Sequence, residues 1–232
     1  MKRSHSIGAS LSGQETVAGF AYLAFQFLLL PGLLQFTNQH LETPLNTAEV
    51  NFTFYLINFI AILLIFRRFL GNSLEQVWQH PIYFLEAVIL GFVFYYLCRY
   101  ATTWVMQQFF PSFTNYNDES IAAMSQGNYY LMFIGTVVLV PPVEECFFRG
   151  LIFRNLYPKS KGAAYTLSIL LFAVIHIIGY IGKYSALELI IAVAQYLAPG
   201  LCLAWSYARA DTIFAPIVIH AAINYVSITQ MR

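Results

Sequence analysis

The chain has 232 residues, of which 59% are hydrophobic and only 10% charged, with a formal net charge of +1. A soluble domain carries about 25% charged residues, so most of this chain's surface is expected to face lipid. The near-zero charge excludes a nucleic-acid binder that works through a broad basic patch, because such binding rests on many cation–phosphate contacts.

The first fifteen residues are polar, and no small-residue cleavage site follows them, so no cleavable signal peptide is expected. Seven apolar runs then succeed one another, at 17–36, 50–66, 82–105, 129–153, 163–181, 186–208 and 212–228. Each is long enough for a helix across a hydrocarbon core about 30 Å thick. Barrel strands would show short alternating stretches, so the expected fold is an all-α, polytopic helical bundle in the membrane.

Loop charges orient that bundle. Lys2/Arg3, Arg67/Arg68, Arg154/Lys159/Lys161 and Arg209 fall on one side, against Lys183, Arg232, Glu42, Glu49, Asp118 and Glu119 on the other. The basic side is cytoplasmic by the positive-inside rule, which places the N-terminus inside and the C-terminus outside. Two features would alter the count of seven: a broken sixth helix at Pro199-Gly200, or a re-entrant segment near 117–126. Residues 117–120 also read as the start of a short interfacial helix, with Asn117 or Asp118 as its N-cap.

There is no repeat, low-complexity tract or linker to a second domain. The chain reads as one integral-membrane domain, with a three-span N-terminal region (1–128) and a four-helix core (129–232) that carries the chemistry. Cys98, Cys146 and Cys202 lie in apolar stretches without CxxC spacing and read as buried packing thiols.

An ionisable residue inside a bilayer costs about 2.5–3.5 kcal/mol or more and marks a functional site by default. The fourth span holds Glu144, Glu145 and Arg149, the fifth His176, and the seventh His220 with Asn224. Residues four apart share a helix face, so Glu145 and Arg149 are expected to pair along their own helix. Glu144 lies about 100° further round and is left to face the bundle interior. Pro141-Pro142 just upstream removes backbone donors and distorts the turn leading to it. At about 1.5 Å per residue, Glu144 and His220 lie at depths that differ by roughly one turn, and His176 comes out nearer the middle or outer half unless its span begins nearer Leu167, so the three can converge.

Packing explains several of these residues taken singly. Glu145–Arg149 reads first as a structural ion pair, Phe172 as core, and His176 as a satisfied buried histidine. His220 and Asn224 alone would serve as interhelical hydrogen bonds. Glu86, Arg99 and Glu188 near span ends read as snorkelling side chains, and Trp78, Trp104 and Tyr207 as an aromatic belt. Glu144 has no such explanation.

Taken together the residues form a pattern. Glu144-Glu145-Cys146-Phe147-Phe148-Arg149 resembles an EExxxR motif, Phe172 to His176 an FxxxH motif, and His220 to Asn224 an HxxxN motif. In that order, on separate spans, they resemble the CAAX-protease and bacteriocin-processing family of intramembrane peptidases, over about 129–228. The resemblance implies a glutamate-dependent peptidase in which Glu144 and His176 hold and deprotonate a water. His220 and Asn224 would donate to the oxyanion, Glu145 and Arg149 would support the site, and Phe172 would shape its wall. No cofactor is expected; if zinc is bound, Glu144, His176 and His220 are its ligands.

Expected partners are membrane lipid and a peptide or lipidated protein, not nucleic acid, in a bacterial plasma membrane. Two other readings stand beside this one: a non-catalytic immunity or peptide-binding protein of the same fold, and a proton pathway.

Overall fold

In a computed structural model, residues 9–231 are described, so Lys2, Arg3 and Arg232, which entered the expected orientation, lie outside it. Ten helices follow in chain order among the described residues: α1 Gly13–Leu28, α2 Leu30–Gln39, α3 Thr47–Ile65, α4 Arg67–Gln79, α5 Pro81–Phe109, α6 Tyr116–Gly127, α7 Tyr129–Leu156, α8 Lys161–Ile175, α9 Ala186–Ala210 and α10 Phe214–Gln230. The only β feature among them is an isolated bridge between Ile181 and Tyr184.

Each of the seven apolar runs is helical, but they are unequal. Four helices (α3, α5, α7 and α9) are long and apolar enough to cross a membrane, and α1 with α2 makes a fifth if the pair, bent by 45°, is one span. The fifth and seventh expected spans are shorter, 15 residues in α8 and 17 in α10. Helix α8 stops because the chain turns after His176, through a 3-10 turn at Ile178–Tyr180 and Gly182, whose φ of 89° suits glycine.

Local chemistry sets the helix ends. Ser12 with Glu15, Asn46 with Glu49 and Ser185 with Glu188 form capping boxes at the starts of α1, α3 and α9. Helix α6 forms where a short helix was expected, yet its N-cap is Asn115, not Asn117 or Asp118. The Asn115 side chain accepts from the Asn117 amide, satisfying a first-turn donor. Helix α4 occupies a segment read as a loop; Phe69 and Ser73 are buried on one side while Trp78 stays exposed.

One surface reading is corrected. Tyr207 is fully buried in the packed interior with Phe66, Phe147 and Phe153, not in an aromatic belt. Glu86 pairs with Arg209 at 2.6 Å, linking α5 to α9, and Arg99 donates to the Tyr95 hydroxyl at 3.0 Å. Glu188 is spent on its capping box.

A second packed cluster joins Tyr95, Phe148, Phe172, Leu203, Ile219 and Ile223 from α5, α7, α8, α9 and α10. Close approach depends on small residues: a Cβ on Gly91 would stand 2.6 Å from Ile219 Cδ1, and one on Gly200 would stand 3.1 Å from Ile169 Cγ2. Helix α9 therefore lies tight against α8, and α5 against α10. This arrangement brings the polar residues of α7, α8 and α10 to one place.

Candidate active site

The site begins with a distortion of α7. Its segments Ile134–Leu139 and Cys146–Phe153 are π-helical and flank the short α-helical stretch Val140–Glu145. The prolines explain the first of these. Val140 N–H goes back five residues to the Gly135 carbonyl, and Pro141 has no N–H to offer the next carbonyl in line, that of Thr136. Asn224 of α10 takes that carbonyl instead, donating from Nδ2 at 2.8 Å. The widened turn thus creates the acceptor that holds Asn224. Wide turns of this kind recur at functional sites.

Glu145 and Arg149 pair as the spacing predicts. Both side chains are fully buried, Arg149 donates through Nη1 to Glu145 Oε1 at 3.0 Å, and its Nη2 donates to the Gly200 carbonyl at 3.0 Å. The guanidinium also lies 4.6 Å from the Phe172 ring centroid. A buried charge needs this many partners to offset its desolvation. The same Glu145 Oε1 accepts from His220 Nδ1 at 2.8 Å, so the carboxylate also orients an imidazole on another helix.

His176 is held differently. It is the C-cap of α8, where the last carbonyls lack helical partners, and its Nδ1 donates to the Phe172 carbonyl at 2.8 Å. The four-residue spacing of Phe172 and His176 is therefore a capping geometry as well as a shared face. The Tyr196 ring stacks on the imidazole with centroids 4.3 Å apart.

With both Nδ1 atoms donating outward, each neutral imidazole carries a lone pair on Nε2. Both Nε2 atoms converge on Glu144: His176 and His220 each lie 3.9 Å from Oε2. That oxygen is buried and has no protein hydrogen-bond partner. A separation of 3.9 Å is one that a single water at ordinary hydrogen-bond distances, about 2.8 Å from each atom, bridges.

These groups border a cavity of about 420 Å³ whose lining includes Glu144, Phe172, His176, His220 and Asn224. Glu145 and Arg149 stand behind that wall. Glu144 also borders a smaller cavity of about 180 Å³, lined mainly by apolar residues with Gln26 and Asn58. The structure therefore brings Glu144, Glu145, Arg149, Phe172, His176, His220 and Asn224 to one place.

It also adds residues that the sequence did not reveal: Thr136, Gly200, Tyr196, Asn115 and Asp118. Asn115 donates to Gln195 Oε1 at 2.8 Å and to the Tyr196 hydroxyl at 3.1 Å, tying the start of α6 to the ring that stacks on His176. Asp118 is open to the cavity, yet desolvation by the surrounding protein raises its carboxyl above the ordinary value, with Arg99 and His176 opposing. The Pro141-Pro142 pair was the one sequence signal for Thr136.

Residues 126–226 match the family model described as Type II CAAX prenyl endopeptidase Rce1-like. Over that segment the chain is similar to the CAAX-protease and bacteriocin-processing family. The matched segment spans α7 to most of α10 and contains Glu144, Glu145, Arg149, Phe172, His176, His220 and Asn224, in a bundle with four or five helices apolar and long enough to cross a membrane among the described residues. No curated protein and no solved structure matches the chain. Among the described residues no group of three or more His, Cys, Asp or Glu is arranged to hold a metal ion.

Proposed function

We propose that the protein is an intramembrane endopeptidase that hydrolyses a peptide bond of a membrane-embedded or lipid-modified substrate with a glutamate-activated water. The observation that carries the reading is the convergence of His176 Nε2 and His220 Nε2 on one oxygen of Glu144, at 3.9 Å each, on a cavity wall. A cluster of this kind answers the cost of placing ionisable groups among apolar helices.

In this reading a water rests between Glu144 and His176. Glu144 takes its proton as the oxygen adds to the scissile carbonyl carbon. The oxyanion receives hydrogen bonds from Asn224 Nδ2, one of whose two hydrogens remains after the bond to Thr136, and from His220 Nε2. Because His220 Nδ1 already donates to Glu145, a donating Nε2 means a doubly protonated ring. That proton would balance the charge of Glu144, Glu145 and Arg149 taken together. As the intermediate collapses, Glu144 returns its proton to the leaving amine. Phe172 closes the wall and sits between Arg149 and both imidazoles.

A second reading has Glu144, His176 and His220, which are not arranged as a ligand group in this structure, draw together on a zinc ion, which would supply a Lewis acid. It is favoured by the outward Nδ1 bonds of both imidazoles, a common arrangement in histidine ligands. Cleavage assays with and without a zinc chelator separate the two. We further propose seven spans with the N-terminus cytoplasmic, in a bacterial plasma membrane. Cysteine labelling of Arg68→Cys and Glu119→Cys from either side of sealed vesicles tests the orientation; labelling of both from the same side contradicts it.

A further inference from the structure

We propose that the smaller cavity beside Glu144 is a water-holding chamber, in which the Gln26 and Asn58 amides bind the water that Glu144 consumes. The proposal rests on the peptidase reading and gives a positioning role to α1 and α3, which lie outside the segment matching the family model.

Two cavities share the Glu144 carboxylate. Tyr55, Val140 and Ile175 line both as well, so these side chains divide the two spaces. The Tyr55 ring is set close against α7 at Gly135, where a Cβ would stand 2.7 Å from Tyr55 Cδ2. A peptide in the larger cavity, with its scissile carbonyl at Glu144, covers that approach to the carboxylate. Each bond cut nevertheless consumes a water. The smaller cavity reaches Glu144 along a wall of its own, with Gln26, Phe54, Asn58 and Phe147, none of which lines the larger one.

Its size and its polar groups suit water. The cavity holds about 180 Å³, and a water's share of the liquid is about 30 Å³, so there is room for several. A purely apolar cavity stays dry, because a buried water needs about three polar partners. Gln26 supplies the first of them. It is 6% exposed and has no hydrogen-bond partner among the described residues, although its amide offers two donor hydrogens and an acceptor oxygen. Burying such a group without a bond is unfavourable.

Asn58 is also buried. Its Nδ2 donates to the Phe54 carbonyl at 2.7 Å and its Oδ1 accepts from the Tyr22 hydroxyl at 3.1 Å, which leaves one Nδ2 hydrogen. Tyr22 and Gln26 are four apart in α1 and share a face, so the Tyr22–Asn58 bond turns that face towards α3. The third partner is Glu144, whose Oε2 has no protein hydrogen bond. An apolar group of a substrate in the same space would leave Gln26 and the spare Asn58 hydrogen unpaired. Water satisfies both.

The test uses the full chain in detergent, exposed to hydroxyl radicals that X-rays generate from water and read by mass spectrometry. Such radicals mark side chains that touch bound water. Phe147 is the reporter, since it is 1% exposed and lines the smaller cavity alone. Wild type is expected to be labelled at Phe147. Gln26→Met, of similar length but without an amide, should lose most of that label, and Gln26→Glu should keep it. No label at Phe147 in wild type, or an equal label in Gln26→Met, overturns the chamber.

Cleavage of a quenched peptide tests the supply. Gln26→Met should lower kcat about tenfold with KM unchanged. A wild-type kcat in Gln26→Met protein that has lost the label contradicts the supply role. If wild type cleaves no peptide, the peptidase reading fails by itself, and the Phe147 label still decides whether the chamber holds water. Should Gln26→Met not fold, Asn58→Leu takes its place in both measurements.

Discussion

His220 Nδ1 lies 2.8 Å from Glu145 Oε1, a carboxylate with no exposed surface that is also paired with Arg149. This contact joins α7 to α10 and turns an intrahelical ion pair into the support of an imidazole in the site. The adjacent acids thereby have separate tasks: Glu145 faces the guanidinium and orients His220, and Glu144 faces the cavity.

Removing one partner of the buried pair leaves an uncompensated charge. Arg149→Met is expected to cost about 3–5 kcal/mol of stability, read as a lowered unfolding midpoint in detergent. Adding Glu145→Gln to Arg149→Met should restore part of that loss. A double variant no more stable than the single one would show that the pair is not what holds α7 in place.

Asn224 is positioned by the Thr136 carbonyl that Pro141 leaves without a backbone donor. If its remaining N–H serves the oxyanion, Asn224→Ala should lower kcat about 10²–10³-fold with little change in KM. A change confined to KM would assign Asn224 to substrate binding.

Much of this was legible in the sequence, and the gaps have physical causes. The fold class followed from composition and run length, and the pairing of Glu145 with Arg149 from the four-residue helical spacing. The convergence of Glu144, His176 and His220 was an expectation from depth that three separate helices fulfil. The link from Thr136 to Asn224 was not legible, because it depends on a π-helical register that changes which carbonyl is free. Tyr196 was hidden for another reason: stacking on His176 is a relation between α8 and α9 that carries no spacing signature. Tyr207 was misread because its position near a span end does not show that α7 covers it. Lys2 and Arg3, on which the expected orientation rests in part, lie outside the described residues.

Tyr196 should act as a positioning residue through its stacking on His176 and its hydroxyl bonds to Asn115. Tyr196→Phe keeps the ring and should lower kcat modestly, while Tyr196→Leu should lower it about tenfold or more. Equal effects of Phe and Leu would place the contribution in the hydroxyl alone.

The raised Asp118 carboxyl gives a pH dependence of stability. A group that holds its proton more tightly when folded contributes stability below its ordinary value of 3.8 and loses that contribution as pH rises through the raised value. Asp118→Asn lacks this loss. The stability of wild type relative to Asp118→Asn should therefore fall across that window, measured by thermal unfolding over a pH series. A constant difference would contradict the shift.

The central claim is that Glu144 activates water for peptide hydrolysis. The most direct measurement is cleavage of a quenched peptide panel, prenylated and unmodified, by wild type and Glu144→Ala in detergent, each with and without a zinc chelator. The account predicts cleavage by wild type that survives the chelator, and loss of activity in a Glu144→Ala protein that still folds. Cleavage by Glu144→Ala at the wild-type rate would contradict it.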